Sequence, residues 1–64
     1  MKVNGTLESL EKEITLYNYL TSKGFDLAKI AVEQNGQIVP KKEYQNIYLE
    51  DQDTLEIVQF VGGG

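Results

Sequence analysis

The sequence has 64 residues, 41% hydrophobic and 25% charged, with one Pro and no Cys, His or Trp. A chain of this length makes one domain and buries only about 60% of the surface its unfolded form exposes, leaving little material for a deep catalytic cleft. Without Cys there is no disulfide, thiol nucleophile or thiolate metal site, and without His there is no imidazole base or ligand. Six Lys, no Arg and ten acidic residues give a net charge of −4. That balance disfavours nucleic acid, whose phosphates are met by clustered positive charge and by the bidentate guanidinium fork. No apolar run approaches the ~20 residues of a membrane span, and no secretory signal opens the chain. The expectation is a cytoplasmic protein that is not itself an enzyme.

Met1-Lys2-Val3 reads as a strand entering an Asn4-Gly5 turn, because Asn-Gly tolerates the positive φ angles of a two-residue hairpin. Thr6 to Leu10 returns as the second strand, although the Leu7 to Leu10 spacing breaks strict alternation. Thr15 is placed to cap a helix, with Ile14 before it positioned to pack on Tyr19. Leu16, Tyr19 and Leu20 share one side of that helix, and Gly24 stops it. Its propensity is mediocre, so it must be held by packing on a sheet. Ile30 to Gln34 is β-branched, and Asn35-Gly36 before Gln37-Ile38-Val39 predicts a second hairpin. Pro40 ends that strand and can open a single helical turn over 40–44. Glu50 to Asp53 is a polar turn, and Leu55 to Val61 is the clearest strand. One helix among short strands predicts an α+β domain, a small mixed sheet with the helix across one face.

Along the last strand, Leu55 and Ile57 point one way while Glu56, Val58 and Phe60 point the other. Glu56 indicates that the second face meets solvent, so Val58 and Phe60 are candidate exposed apolar groups. Scattered surface hydrophobes are ordinary, yet the sequence then closes with Gly62-Gly63-Gly64. Three glycines at one specified place have a chance of roughly 3 in 10,000 at ordinary glycine usage. A tail without Cβ atoms can extend for roughly 10 Å and thread a channel too narrow for other residues. It delivers the carboxylate of Gly64. A carboxylate is a poor acyl donor until it attacks the α-phosphate of ATP, which makes an acyl adenylate that a sulfur nucleophile can then open. In that chemistry the chain is the substrate and its partner is the enzyme.

FVGGG after TLEIVQ, AVEQNGQIVPKKEY in the middle and ITLYNYL as the helix together resemble the ThiS-type sulfur carriers of thiamin biosynthesis, which are ubiquitin-like β-grasp proteins. The resemblance covers almost the whole chain, and Asn35 to Pro40 is its most specific internal stretch. The glycine terminus is shared more widely, with ubiquitin-like proteins and the small subunit of molybdopterin synthase. It implies a β-grasp domain over 1–61 and a flexible tail over 62–64. It further implies that a ThiF-like adenylyltransferase uses ATP to activate Gly64, with Gly62 and Gly63 threading the active site. Sulfur from a cysteine persulfide would make a thiocarboxylate, and a ThiG-like thiazole synthase would accept the sulfur. The chain itself would bind no cofactor or metal. In that fold the last strand is central, which implies partner binding by Val58, Phe60 and Val61.

Other constellations carry less. Asp51 and Asp53 fit two positions of a calcium loop, but the fifth is Leu55 and the bidentate Glu slot falls on Gly62, so a solvated turn is expected. Lys41-Lys42 reads as surface charge, and Tyr44 and Tyr48 as core or half-buried lining. The Ser and Thr residues have no activating base. Two other functions fit a glycine tail: sulfur delivery to molybdopterin or another pathway, and a ubiquitin-like modifier joined to lysine amines. A binding module with an inert tail is the third.

Overall fold

The computed structural model describes residues 1–60. Asn4 and Gly5 have φ of 50° and 84°, and Asn35 and Gly36 repeat the pattern at 53° and 85°. Two consecutive positive φ angles make the type I′ turn, whose twist matches that of the strands it joins. Each turn fixes a hairpin. β1 (Lys2–Val3) pairs antiparallel with β2 (Thr6–Leu7), Val3 opposite Thr6. β3 (Ile30–Gln34) pairs with β4 (Gln37–Ile38), Gln34 opposite Gln37. β2 is shorter than its sequence predicts. Glu8 N–H still donates to the Met1 carbonyl at 2.8 Å, but Leu10 has left the ladder and packs against the core, which accounts for the broken alternation.

β5 (Thr54–Gln59) occupies the centre of a five-stranded sheet ordered β2-β1-β5-β3-β4. It runs parallel to β1, with Val3 opposite Leu55, and antiparallel to β3, from Gln34 opposite Leu55 to Ile30 opposite Gln59. α1 (Leu16–Ser22) lies across one face. The Thr15 hydroxyl accepts from Asn18 N–H at 3.0 Å, satisfying one of the amides left free at a helix start. At the other end Gly24 has φ 84°. Gly24 N–H donates to Thr21 O and Phe25 N–H to Leu20 O, at 3.0 and 3.1 Å, the paired bonds of a Schellman stop. Seven residues cannot sustain a helix in water. Packing holds it: Leu16, Tyr19 and Leu20 are buried with Val3, Ile30, Val32, Leu55 and Ile57.

Two short 3₁₀ turns complete the described residues. Leu27–Lys29 is capped by Asp26, whose carboxylate accepts from Ala28 N–H at 3.0 Å; its signal is too local to stand out in the sequence. Lys41–Glu43 follows Pro40, which is extended and precedes the turn rather than opening it. Lys41 is more than surface charge, because its ammonium donates to the Ile30 carbonyl at 2.7 Å. That carbonyl lies past the end of β4, so the side chain supplies the partner a longer strand would have given.

The turn before β5 is solvated at Glu50, Asp51 and Gln52 as expected, but not at Asp53. Asp53 is only 6% exposed. Its carboxylate accepts from Gln34 Nε2 at 3.1 Å, Asn35 Nδ2 at 3.0 Å and Glu50 N–H at 2.8 Å. Asn35 in turn exchanges bonds with Thr54, through its backbone N–H and its side-chain oxygen. A buried carboxylate thus joins the β3–β4 turn to the start of β5. Tyr44 is buried as expected, whereas Tyr48 is exposed. Among the described residues no three acidic groups converge to hold a metal, and no helix is long and apolar enough to cross a membrane.

Candidate functional site

β5 presents two chemically different faces, and its backbone phase follows from the hydrogen bonds. Lys2 N–H donates to Asp53 O and Asn4 N–H to Leu55 O, at 3.0 and 2.9 Å, so odd-numbered residues of β5 direct their peptide groups toward β1. The chain then turns away at Asn4-Gly5. Its side chain continues the ladder by one residue: Asn4 Oδ1 accepts from Ile57 N–H at 2.7 Å, and Asn4 Nδ2 donates to Ile57 O at 3.2 Å. On the opposite edge Phe60 N–H donates to Lys29 O at 2.7 Å. The strand is therefore held on both edges as far as Ile57, and on the β3 edge as far as Phe60.

Leu55 and Ile57 are buried beneath the helix. Val58 is 55% exposed and Phe60 44%, so both expected apolar groups lie in solvent near the end of the central strand. Val58 faces away from the helix with Ala31 directly opposite on β3. Val61, Gly62, Gly63 and Gly64, the other partner-binding, threading and covalent positions expected from the sequence, lie outside the described residues, as does the boundary proposed after residue 61.

The titratable groups nearest the core do not supply a general base. Burial, followed by the hydrogen bond to Glu8 and its negative charge, pushes the Tyr19 phenol well above its ordinary range. The bond to Glu8 Oε1 is 2.6 Å long. Burial also pushes the Tyr44 phenol up. Both therefore stay protonated near neutral pH. The arrangement can present a strand end and a face to another protein. Sequence reading missed the structural roles of Asn4, Asn35 and Asp53. For the two asparagines the Asn-Gly signal fixes the turn but says nothing of which strand the side chain then reaches.

The model of the ThiS family matches residues 1–64. The sulfur carrier protein ThiS of Bacillus subtilis is 35% identical over 65 residues, spanning 100% of this chain and 98% of that protein. A thiazole synthase of Paramagnetospirillum magneticum is 42% identical over 62 residues, which make up 97% of this chain but 19% of that protein. The chain thus spans about a fifth of the length of that relative. The crystal structure of the thiamine biosynthesis protein ThiS from Geobacter metallireducens superposes with a TM-score of 0.81 at 24% identity, covering 98% of this chain and 96% of that one. That likeness establishes the fold, a ubiquitin-like β-grasp.

Proposed function

This chain belongs to the ThiS family, and from that membership we propose that it is a sulfur carrier of thiamin biosynthesis whose Gly64 carboxylate is activated by one enzyme and used by another. The carboxylate oxygen attacks the α-phosphorus of ATP, pyrophosphate leaves, and an acyl adenylate forms on the active site of a ThiF-like adenylyltransferase. A cysteine persulfide then attacks the acyl carbon and AMP leaves. Reduction of the resulting acyl disulfide by a thiol leaves a thiocarboxylate on Gly64. A ThiG-like thiazole synthase accepts that sulfur. ATP belongs to the activating enzyme, and this chain contributes the acyl group and the surface that is recognised.

The observation that carries this reading is the family match across 1–64, a span that includes the three terminal glycines. The relative named thiazole synthase supports the choice of acceptor, since a segment like this chain is part of its polypeptide. The lack of His, Cys and Arg is consistent with a substrate whose chemistry is performed by its partners. Incubation with a ThiF-like enzyme and ATP is expected to release pyrophosphate in proportion to added protein, and deletion of Gly64 is expected to abolish the release. Absence of pyrophosphate from the intact chain would reject the proposal and favour a binding module with an inert tail. A modifier would instead appear joined to lysines of other proteins.

A further inference from the structure

The Asn35-Gly36 turn holds a covalent chemistry that its structural role does not use. In an Asn-Gly pair the glycine nitrogen can attack the side-chain carbonyl carbon of the asparagine, because glycine has no Cβ to shield its N–H. Both such pairs of this chain lie at exposed hairpin turns, where water is at hand. They differ in the groups that the two asparagine side chains meet.

Asn35 is tied to the start of β5 by its backbone and by both polar atoms of its side chain. Its N–H donates to Thr54 O at 2.8 Å, its Oδ1 accepts from Thr54 N–H at 2.9 Å, and its Nδ2 donates to Asp53 Oδ1 at 3.0 Å. A peptide N–H can meet only the amide oxygen and a carboxylate only the amide nitrogen, so the orientation of the side chain is fixed. Asn4 is held in a similar way, Oδ1 by Ile57 N–H at 2.7 Å and Nδ2 by Ile57 O at 3.2 Å, but its partners are peptide groups. Asp53 is buried, and its other oxygen accepts from Gln34 Nε2 and Glu50 N–H. It cannot turn away from position 35 without giving up those bonds.

We propose that Asn35-Gly36 is a deamidation site held in check by β5, and that its reaction is a one-way step that sets a second carboxylate against Asp53 and opens the β3–β4 turn. Gly36 N forms a bond to Asn35 Cγ and gives up its proton. The Cγ–Nδ2 bond breaks, and Nδ2 leaves with that proton as ammonia. Water then opens the cyclic imide and returns a proton to Gly36 N, with no oxidant or reductant involved. Opening at Cγ leaves aspartate at position 35; opening at the main-chain carbonyl leaves isoaspartate, with the chain routed through Cβ. Ring closure requires Cγ to swing toward Gly36 while β5 holds both polar atoms of the side chain, so the reaction waits for the turn to open. An aspartate formed there replaces the Nδ2 donor with an anionic oxygen beside Asp53 Oδ1, and like charges so close in a poorly hydrated place repel. At position 4 the same reaction meets no second charge.

The test incubates the full chain in mildly alkaline buffer, folded and in urea. The peptide containing position 35 is followed for the mass gained when NH2 becomes OH, and for isoaspartate by methyltransferase labelling. Conversion at position 35 should be at least about tenfold slower in the folded protein than in urea. Thermal melts then read the product. Asn35→Asp should lower the Tm by roughly 5 to 15 °C, and Asn4→Asp by less than half as much. Asn35→Asp combined with Asp53→Asn should recover more than half of the loss, because the swapped amide can donate to the swapped carboxylate while its oxygen still accepts from Gln34 and Glu50. No conversion in urea would overturn the site, and equal rates in the two states would overturn its restraint by β5. An unchanged Tm for Asn35→Asp, or no recovery in the double variant, would overturn the clash with Asp53. Should Asn35→Asp fail to fold, a folded double variant supports the clash and an unfolded one overturns it.

Discussion

Adding one residue after Gly64 is expected to abolish adenylation while shifting the Tm by no more than about 2 °C. The proposed nucleophile is a terminal carboxylate oxygen, and an added residue converts it into an amide carbonyl with no anionic oxygen to attack phosphorus. The core that holds the fold is built from residues between Met1 and Ile57, well before the change. Pyrophosphate release and a thermal melt on the same sample separate the two effects. Undiminished release from an untrimmed extended chain would remove Gly64 from the chemistry, and a collapsed melt would show that the fold depends on the terminus.

Replacing Asp53 with Ala is expected to cost about 2 to 4 kcal/mol of folding stability. The carboxylate accepts three hydrogen bonds, from Gln34, Asn35 and the Glu50 amide, and Ala would leave all three donors without that acceptor. For a domain whose total stability is on the order of 3 to 10 kcal/mol, this approaches unfolding at physiological temperature. Urea denaturation gives the loss directly. Loss of less than about 0.5 kcal/mol would mean that water replaces the carboxylate at those donors.

Much of this architecture is legible in the sequence because its signals are local. The two Asn-Gly pairs set two type I′ turns, Thr15 and Gly24 bound the helix, and alternation from Leu55 onward separates the buried Leu55 and Ile57 from the exposed Val58 and Phe60. Central placement of β5 followed from the family resemblance, since no periodicity reports strand order. The remainder depends on register. Asp53 reads as a polar turn residue until the β3–β4 turn is placed beside it, and Lys41 reads as surface charge until β4 is seen to end before Ile30. Glu33 and Glu56 are 23 positions apart in the sequence, and only the antiparallel pairing of β3 with β5 sets them face to face. The chemistry proposed at Gly64 rests on composition alone: glycine carries no side-chain information, so a run of it points to what the backbone and its carboxylate can do.

Whether Gly64 acquires sulfur is the most direct test of the proposed carrier function. The protein is incubated with a ThiF-like enzyme, ATP, a persulfide donor and a reducing thiol, then analysed by intact mass and by alkylation followed by fragmentation. The predicted result is the mass increase of one oxygen exchanged for sulfur, with the alkylated sulfur located on Gly64. Oxidation of Met1 gives nearly the same mass change, so the fragment position decides. An increase confined to Met1, or no increase in a sample that has released pyrophosphate, would contradict the proposal that this chain carries sulfur.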